Sequence, residues 1–209
     1  MDSEPIRLIL LPGVYGTGLM FTPLVEALPD EYDCQVISYP VDQVLSYAEL
    51  VRYVAAKIPQ DKPYIILAES FSGPIALMLS EILGDNLKAL ILVCTYVSNP
   101  HPWLAKLAKF VLKDRIVARR PSRFMARFMI AGFEMEDALL DRAFSIQRKV
   151  LPVLHMYAKN DRIIPRSSQR RIKKIRPDLK SADIPGPHYL LQSKPEICVR
   201  YIKTFLESL

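Results

Sequence analysis

The chain has 209 residues, is 50% hydrophobic and carries a formal net charge of +6. That is enough for one domain with a sizeable core, and no long linker, low-complexity tract or internal repeat is visible. No apolar run reaches membrane-spanning length, no signal core precedes the first strand, and three widely spaced cysteines (Cys34, Cys94, Cys198) make neither a disulfide frame nor a metal motif. A soluble cytoplasmic protein with no metal or other cofactor is the expectation.

The positive charge is regional. Lys and Arg number 5 against 12 Asp and Glu over residues 1–100, 11 against 5 over 101–149, and 12 against 5 over 150–209. A basic excess confined to two regions can attract an acidic partner or an anionic membrane, and it can equally be a solvated face.

Mostly apolar runs at 6–11, 34–39, 63–68, 87–94, 153–158 and 179–184 read as strands buried on both faces. Helical patterns separate them. Residues 19–28 precede Pro29. Ser46-x-x-Glu49 is a capping box for a helix from Tyr47 to Ile58. Residues 74–83 form a third helix, ended by Gly84. Ser193-Lys194-Pro195-Glu196 reads as a second capping box, opening a helix with Ile197, Tyr201, Ile202 and Phe205 inward. Alternation of this kind predicts an α/β fold: a mostly parallel sheet of about six strands with helices on both faces.

The alternation breaks between Cys94 and Val150. About three helical patterns there predict an inserted helical lid over 97–149, dividing the core into 1–96 and 150–209. Leu107, Phe110, Phe124, Met125, Phe128 and Met129 give it apolar faces. Lys106, Lys109, Lys113, Arg115, Arg119, Arg120, Arg123 and Arg127 give it basic ones.

Several positions carry chemistry. Ser70 lies in Ala68-Glu69-Ser70-Phe71-Ser72-Gly73, between a strand and a helix. Small residues around a serine at such a turn have the form of a nucleophile elbow, here with Ala68 and Ser72 where two glycines are usual. The bland alternative is a serine cap on an ordinary connection. Serine needs a base, and the base needs an orienting acid. Of the three histidines, His155 sits in an apolar run and suits a core. His101 lies at the entrance to the insertion. His188, in a turn-rich loop after the last strand, is the best base. Asp161, just after the fifth strand, is the best acid, with a turn cap as its alternative; Asp183, inside a strand, is weaker. An oxyanion hole needs about two fixed N–H donors. The candidates are Phe71, after the serine, and Val14, in the glycine-rich turn that follows the first strand. That turn lacks the dinucleotide fingerprint and the Lys-Ser/Thr ending of a phosphate loop. The basic segment Arg166, Arg170, Arg171, Lys173, Lys174 and Arg176 has no nucleic-acid motif and reads as a solvated face, so no nucleic-acid partner is expected.

Taken in order, Leu11-Pro12-Gly13, Ala68 to Gly73, Asn160 to Pro165 and Gly186 to Leu191 resemble the α/β-hydrolase superfamily over essentially the whole chain. The resemblance implies a triad of Ser70, His188 and Asp161 in a compact serine carboxylesterase, of a type similar to the pimeloyl-carrier methyl esterase. The expected reaction is hydrolysis of a small-molecule or lipid-like ester or thioester. Tyr15, Phe110, Phe124, Phe128 and Met129 are candidates to bind its acyl group. Arg119, Arg120, Arg123 and Arg127 are candidates to meet an acidic carrier protein or an anionic membrane. A non-catalytic binding protein on the same fold is the alternative from a different class.

Overall fold

A computed structural model describes residues 5–40, 42, 43, 45–97 and 151–209. The lid at 97–149, apart from Val97, lies outside them, as do His101, Phe110, Phe124, Phe128, Met129, Arg119, Arg120, Arg123 and Arg127.

Six strands form one sheet in the order β2-β1-β3-β4-β5-β6, and every neighbouring pair is parallel. They are β1 (Ile6–Leu11), β2 (Tyr32–Val36), β3 (Tyr64–Glu69), β4 (Leu87–Val93), β5 (Val153–Ala158) and β6 (Lys180–Ile184). The helices are α1 (Thr22–Ala27), α2 (Tyr47–Ala55), α3 (Gly73–Ile82), α4 (Arg166–Ile175), α5 (Leu190–Ser193) and α6 (Pro195–Leu206). Successive strand side chains face opposite ways, so two cores form. Ile9, Ile66, Leu90 and Val153 pack under α2, α3 and α4. Leu8, Leu67, Ile91 and Met156 pack under α1, α5 and α6.

The chain leaves β1 toward β2, then returns past β1 to β3. This reversal opens a crevice between the carboxyl ends of β1 and β3, the usual ligand position in an open parallel sheet. The glycine turn and the elbow flank it.

The expected two-faced burial holds for the inner strands, but the edges differ. β2 is mostly half-buried and β6 alternates exposed with buried, because an edge strand lacks helices on one side. β2 also ends three residues earlier than the apolar run. Tyr39 leaves the sheet and donates its N–H to Gly16 O (2.8 Å), which draws this segment toward the crevice.

The first capping box forms as expected. Glu49 N donates to Ser46 Oγ (3.2 Å) and Ser46 N to Glu49 Oε2 (2.8 Å). The second does not form. The Ser193 hydroxyl donates instead to Tyr189 O (2.7 Å), closing α5, and α6 starts at Pro195, whose missing N–H suits a first helical position. Along α6, Ile202 and Phe205 are buried together with Cys198 and Val199, whereas Tyr201 faces outward. Arg176 also departs from the solvated face expected of it. It is buried, and its guanidinium binds Asp178 and Leu151 O. The three cysteines are free, with Cys94 and Cys198 in the core. Among the described residues, no helix is long and apolar enough to cross a membrane.

Candidate active site

The elbow is built from a buried strand running straight into a helix. β3 is buried along its whole length and ends at Glu69. Ser70 then takes φ 49°, a left-handed conformation that costs a non-glycine residue about 1–3 kcal/mol. The conformation turns the chain from strand to helix in one residue and aims Oγ into the crevice.

Four contacts hold the strained turn. Thr95 Oγ1 donates to Ser70 O (2.5 Å). Ser72 Oγ donates to Pro12 O and also bonds Tyr39 Oη, which ties the elbow to the turn after β1. Phe71, buried, stacks on Tyr47 at 5.0 Å between ring centroids. Ser72 therefore does more than be small where a glycine is usual. The tight approach falls one residue later, since a Cβ on Gly73 would lie 1.8 Å from Thr95 Oγ1. Gly73→Ala is expected to destabilise the protein by about 1–3 kcal/mol, because Thr95 must move and release the Ser70 carbonyl. Urea unfolding of wild type and variant measures this.

His188 and Asp161 arrive from the far side of the sheet. The loops after β5 and β6 are laced by Lys159 N to Ile184 O (2.9 Å) and Asn160 N to Gly186 O (3.1 Å). Asp161 uses both its oxygens. Oδ1 accepts from the amides of Ile163 and Ile164, each at 2.8 Å, so the residue does cap a turn. Oδ2 lies 2.8 Å from His188 Nδ1. His188 Nε2 in turn lies 3.0 Å from Ser70 Oγ. With Nδ1–H donated to the carboxylate, Nε2 bears a lone pair aimed at the serine hydroxyl. All three side chains are nearly withdrawn from solvent.

Other expected positions separate clearly. Val14 lies in a turn closed by Gly16 N to Gly13 O (2.9 Å), with Gly16 at φ 71°. Phe71 is in the first turn of the helical stretch that begins at Ser70, where amides have no carbonyl one turn back to bond. Tyr15 is half exposed at the rim, beside Tyr189. His155 is fully buried in β5, with its ring against Tyr157. Asp183 is exposed on the edge strand. Among the described residues, Cys94, Asp161 and His188 have ligand atoms within 4.8 Å of one another. Two of these already bind each other, and burial pushes the Cys94 thiol well above its ordinary range.

Sequence reasoning missed Glu69, Tyr39, Thr95 and Gln192, which support the elbow and the loops around it from positions far apart along the chain. Glu69 alone carried a signal: a carboxylate in an otherwise apolar strand, next to the serine.

A parallel sheet with a left-handed serine at the end of β3, a histidine after β6 and an aspartate after β5 defines an α/β-hydrolase architecture. A family model described as alpha/beta hydrolase fold matches residues 6–140, and the chain belongs to that family. Membership supports hydrolysis as its general chemistry. Solved structures similar in fold include a monoacylglycerol lipase of Paleococcus ferrophilus (14% identity, 97% of this chain and 94% of that chain covered, TM-score 0.74). A lipase-esterase related protein of Clostridium acetobutylicum ATCC 824 matches at 15% identity, with 98% and 96% covered and TM-score 0.75. An enol-lactonase of Burkholderia xenovorans LB400 matches at 13%, with 98% and 92% covered and TM-score 0.75. No curated protein matches significantly.

Proposed function

We propose that this chain is a serine hydrolase of carboxylic esters or thioesters. The observation that carries this reading is the unbroken line from Asp161 Oδ2 through His188 to Ser70 Oγ, at 2.8 and 3.0 Å. Ser70 attacks the acyl carbonyl while His188 Nε2 takes its proton. Asp161 keeps the ring in the productive tautomer and stabilises the imidazolium that forms. The amides of Phe71 and Val14 receive the oxyanion. His188 returns the proton to the leaving group, and then activates a water that releases the acyl group from Ser70.

Three fold relatives are described as a monoacylglycerol lipase, a lipase-esterase related protein and an enol-lactonase, which supports ester chemistry. In this reading residues 97–149 form a helical lid. Tyr15, Phe110, Phe124, Phe128 and Met129 hold an apolar acyl group, and Arg119, Arg120, Arg123 and Arg127 meet an acidic carrier or an anionic membrane. A cytoplasmic location is consistent with three free cysteines.

A panel of p-nitrophenyl esters of rising chain length tests this directly. The optimum is expected above acetate, with kcat/KM rising about threefold or more for each pair of added methylenes until the pocket is full. A flat profile would remove the apolar acyl site. If charge reversal at Arg119 and Arg120 left activity and its salt dependence unchanged on the native ester class, the basic lid would have no catalytic part.

A further inference from the structure

A second carboxylate is buried among the same loops without belonging to the serine–histidine–aspartate line. Glu69 is the last residue of β3 and is 5% exposed. It has the same parity as Ile65 and Leu67, so its carboxylate lies at the top of the core under α1, α5 and α6. Oε1 accepts from Gln192 Nε2 at 3.0 Å. Gln192 belongs to α5, which starts two residues after His188, and its Nε2 also donates to Met20 O at 3.0 Å. The Gly13 backbone passes close to the other carboxylate oxygen. A Cβ on Gly13 would sit only 3.6 Å from Oε2. A single carboxylate thus joins the turn that carries Val14, the strand end that carries Ser70 and the helix behind His188.

Gln192 meets the carboxylate with an N–H donor, an arrangement that suits an ionised carboxylate. The titratable groups that sense its charge are His188, Tyr189, Cys94 and Cys198. Burial raises the two thiols and the phenol, so all three stay neutral near pH 7. His188 alone gains charge when Ser70 is deprotonated.

We infer that Glu69 is a positioning residue and the second anion of the site, clamping the Gly13–Val14 turn to the helix behind His188 and stabilising the imidazolium formed as Ser70 attacks. Burial holds its carboxyl above the usual carboxylate range, and the Gln192 donor and the charge on His188 offset only part of that rise. The two ionised forms therefore favour each other, so the benefit falls on the charged transition state more than on the resting enzyme.

The kinetic part rests on the hydrolase reading; the charge coupling does not. In Glu69→Gln, kcat on p-nitrophenyl acetate is expected to fall about tenfold with KM within about twofold. The acidic limb of kcat/KM and the NMR titration of the His188 ring should both move down by about 0.5 pH unit or more. A folded Glu69→Gln protein whose His188 titrates as in wild type overturns the inference, even if kcat has fallen, because a purely structural prop would leave that titration in place. Should wild type prove inactive while the His188 titration still shifts, the hydrolase reading fails and the coupling stands. If Glu69→Gln does not fold, Gln192→Leu removes the clamp but keeps the charge. It is expected to lower kcat several-fold with the acidic limb in place, and an unchanged kcat would overturn the clamp.

Discussion

Ser70→Ala, His188→Ala and the double variant are expected to lose activity to nearly the same level, about 10⁴-fold or more below wild type in kcat. The reason is geometric. The proton of Ser70 Oγ has one acceptor at 3.0 Å, His188 Nε2, and the serine is a weak nucleophile until that proton leaves. Removing either partner stops the same step, so the losses do not add. Asp161→Asn should cost a comparable factor without unfolding the loop. Its Oδ1 function, accepting from Ile163 and Ile164, survives in the amide oxygen, whereas Oδ2 becomes a donor facing Nδ1 and selects the wrong tautomer. Losses that multiplied in the double variant would mean that Ser70 and His188 act independently, which a 3.0 Å contact does not allow.

The second large effect concerns stability. His155 is fully buried, and among the described residues neither ring nitrogen has a hydrogen-bond partner. Burial, assisted by the nearby Lys173 charge, lowers its pKa from 6.5 to about 4. The unfolded chain therefore binds a proton between those values that the folded chain does not. Stability contributed by keeping the ring neutral is full above pH 6.5, declines as pH falls, and levels off below about 4, where both states are protonated. The total is on the order of 3 kcal/mol, a large share of a typical domain's margin. Urea midpoints of wild type and His155→Leu between pH 7.5 and 4 measure it. The gap should widen in favour of the leucine variant as pH falls through 6.5. Parallel curves would mean that the ring is not held neutral.

The elbow, the Asp161 loop and the His188 loop were legible in the sequence because each is a local pattern: a strand's end followed by the right residue type. Their order along the chain supplied the rest. The inner strands were legible for the same reason, as short apolar runs. What could not be read depends on meetings between distant segments. Ser72 looked like a substitute for glycine, yet its hydroxyl bonds Pro12, 60 positions earlier. Thr95, just past β4, leaves no room for a side chain at Gly73, the first residue of α3, and Gln192 reaches Glu69 from 123 residues away. The false capping box at Ser193 shows the converse. The local pattern was present, but Ser193 ends α5 with its hydroxyl on Tyr189 O, and Pro195 starts α6, so Ser193 is not the residue flanking that helix.

The central claim is that Ser70 is a nucleophile activated by His188. Treatment with a fluorophosphonate, followed by peptide mass spectrometry, tests it most directly. One phosphonyl group per chain is expected, on the peptide that contains Ser70, with none on Ser70→Ala and labelling slowed about 10³-fold or more in His188→Ala. Wild type left unlabelled, or Ser70→Ala labelled to the same extent, would contradict the assignment.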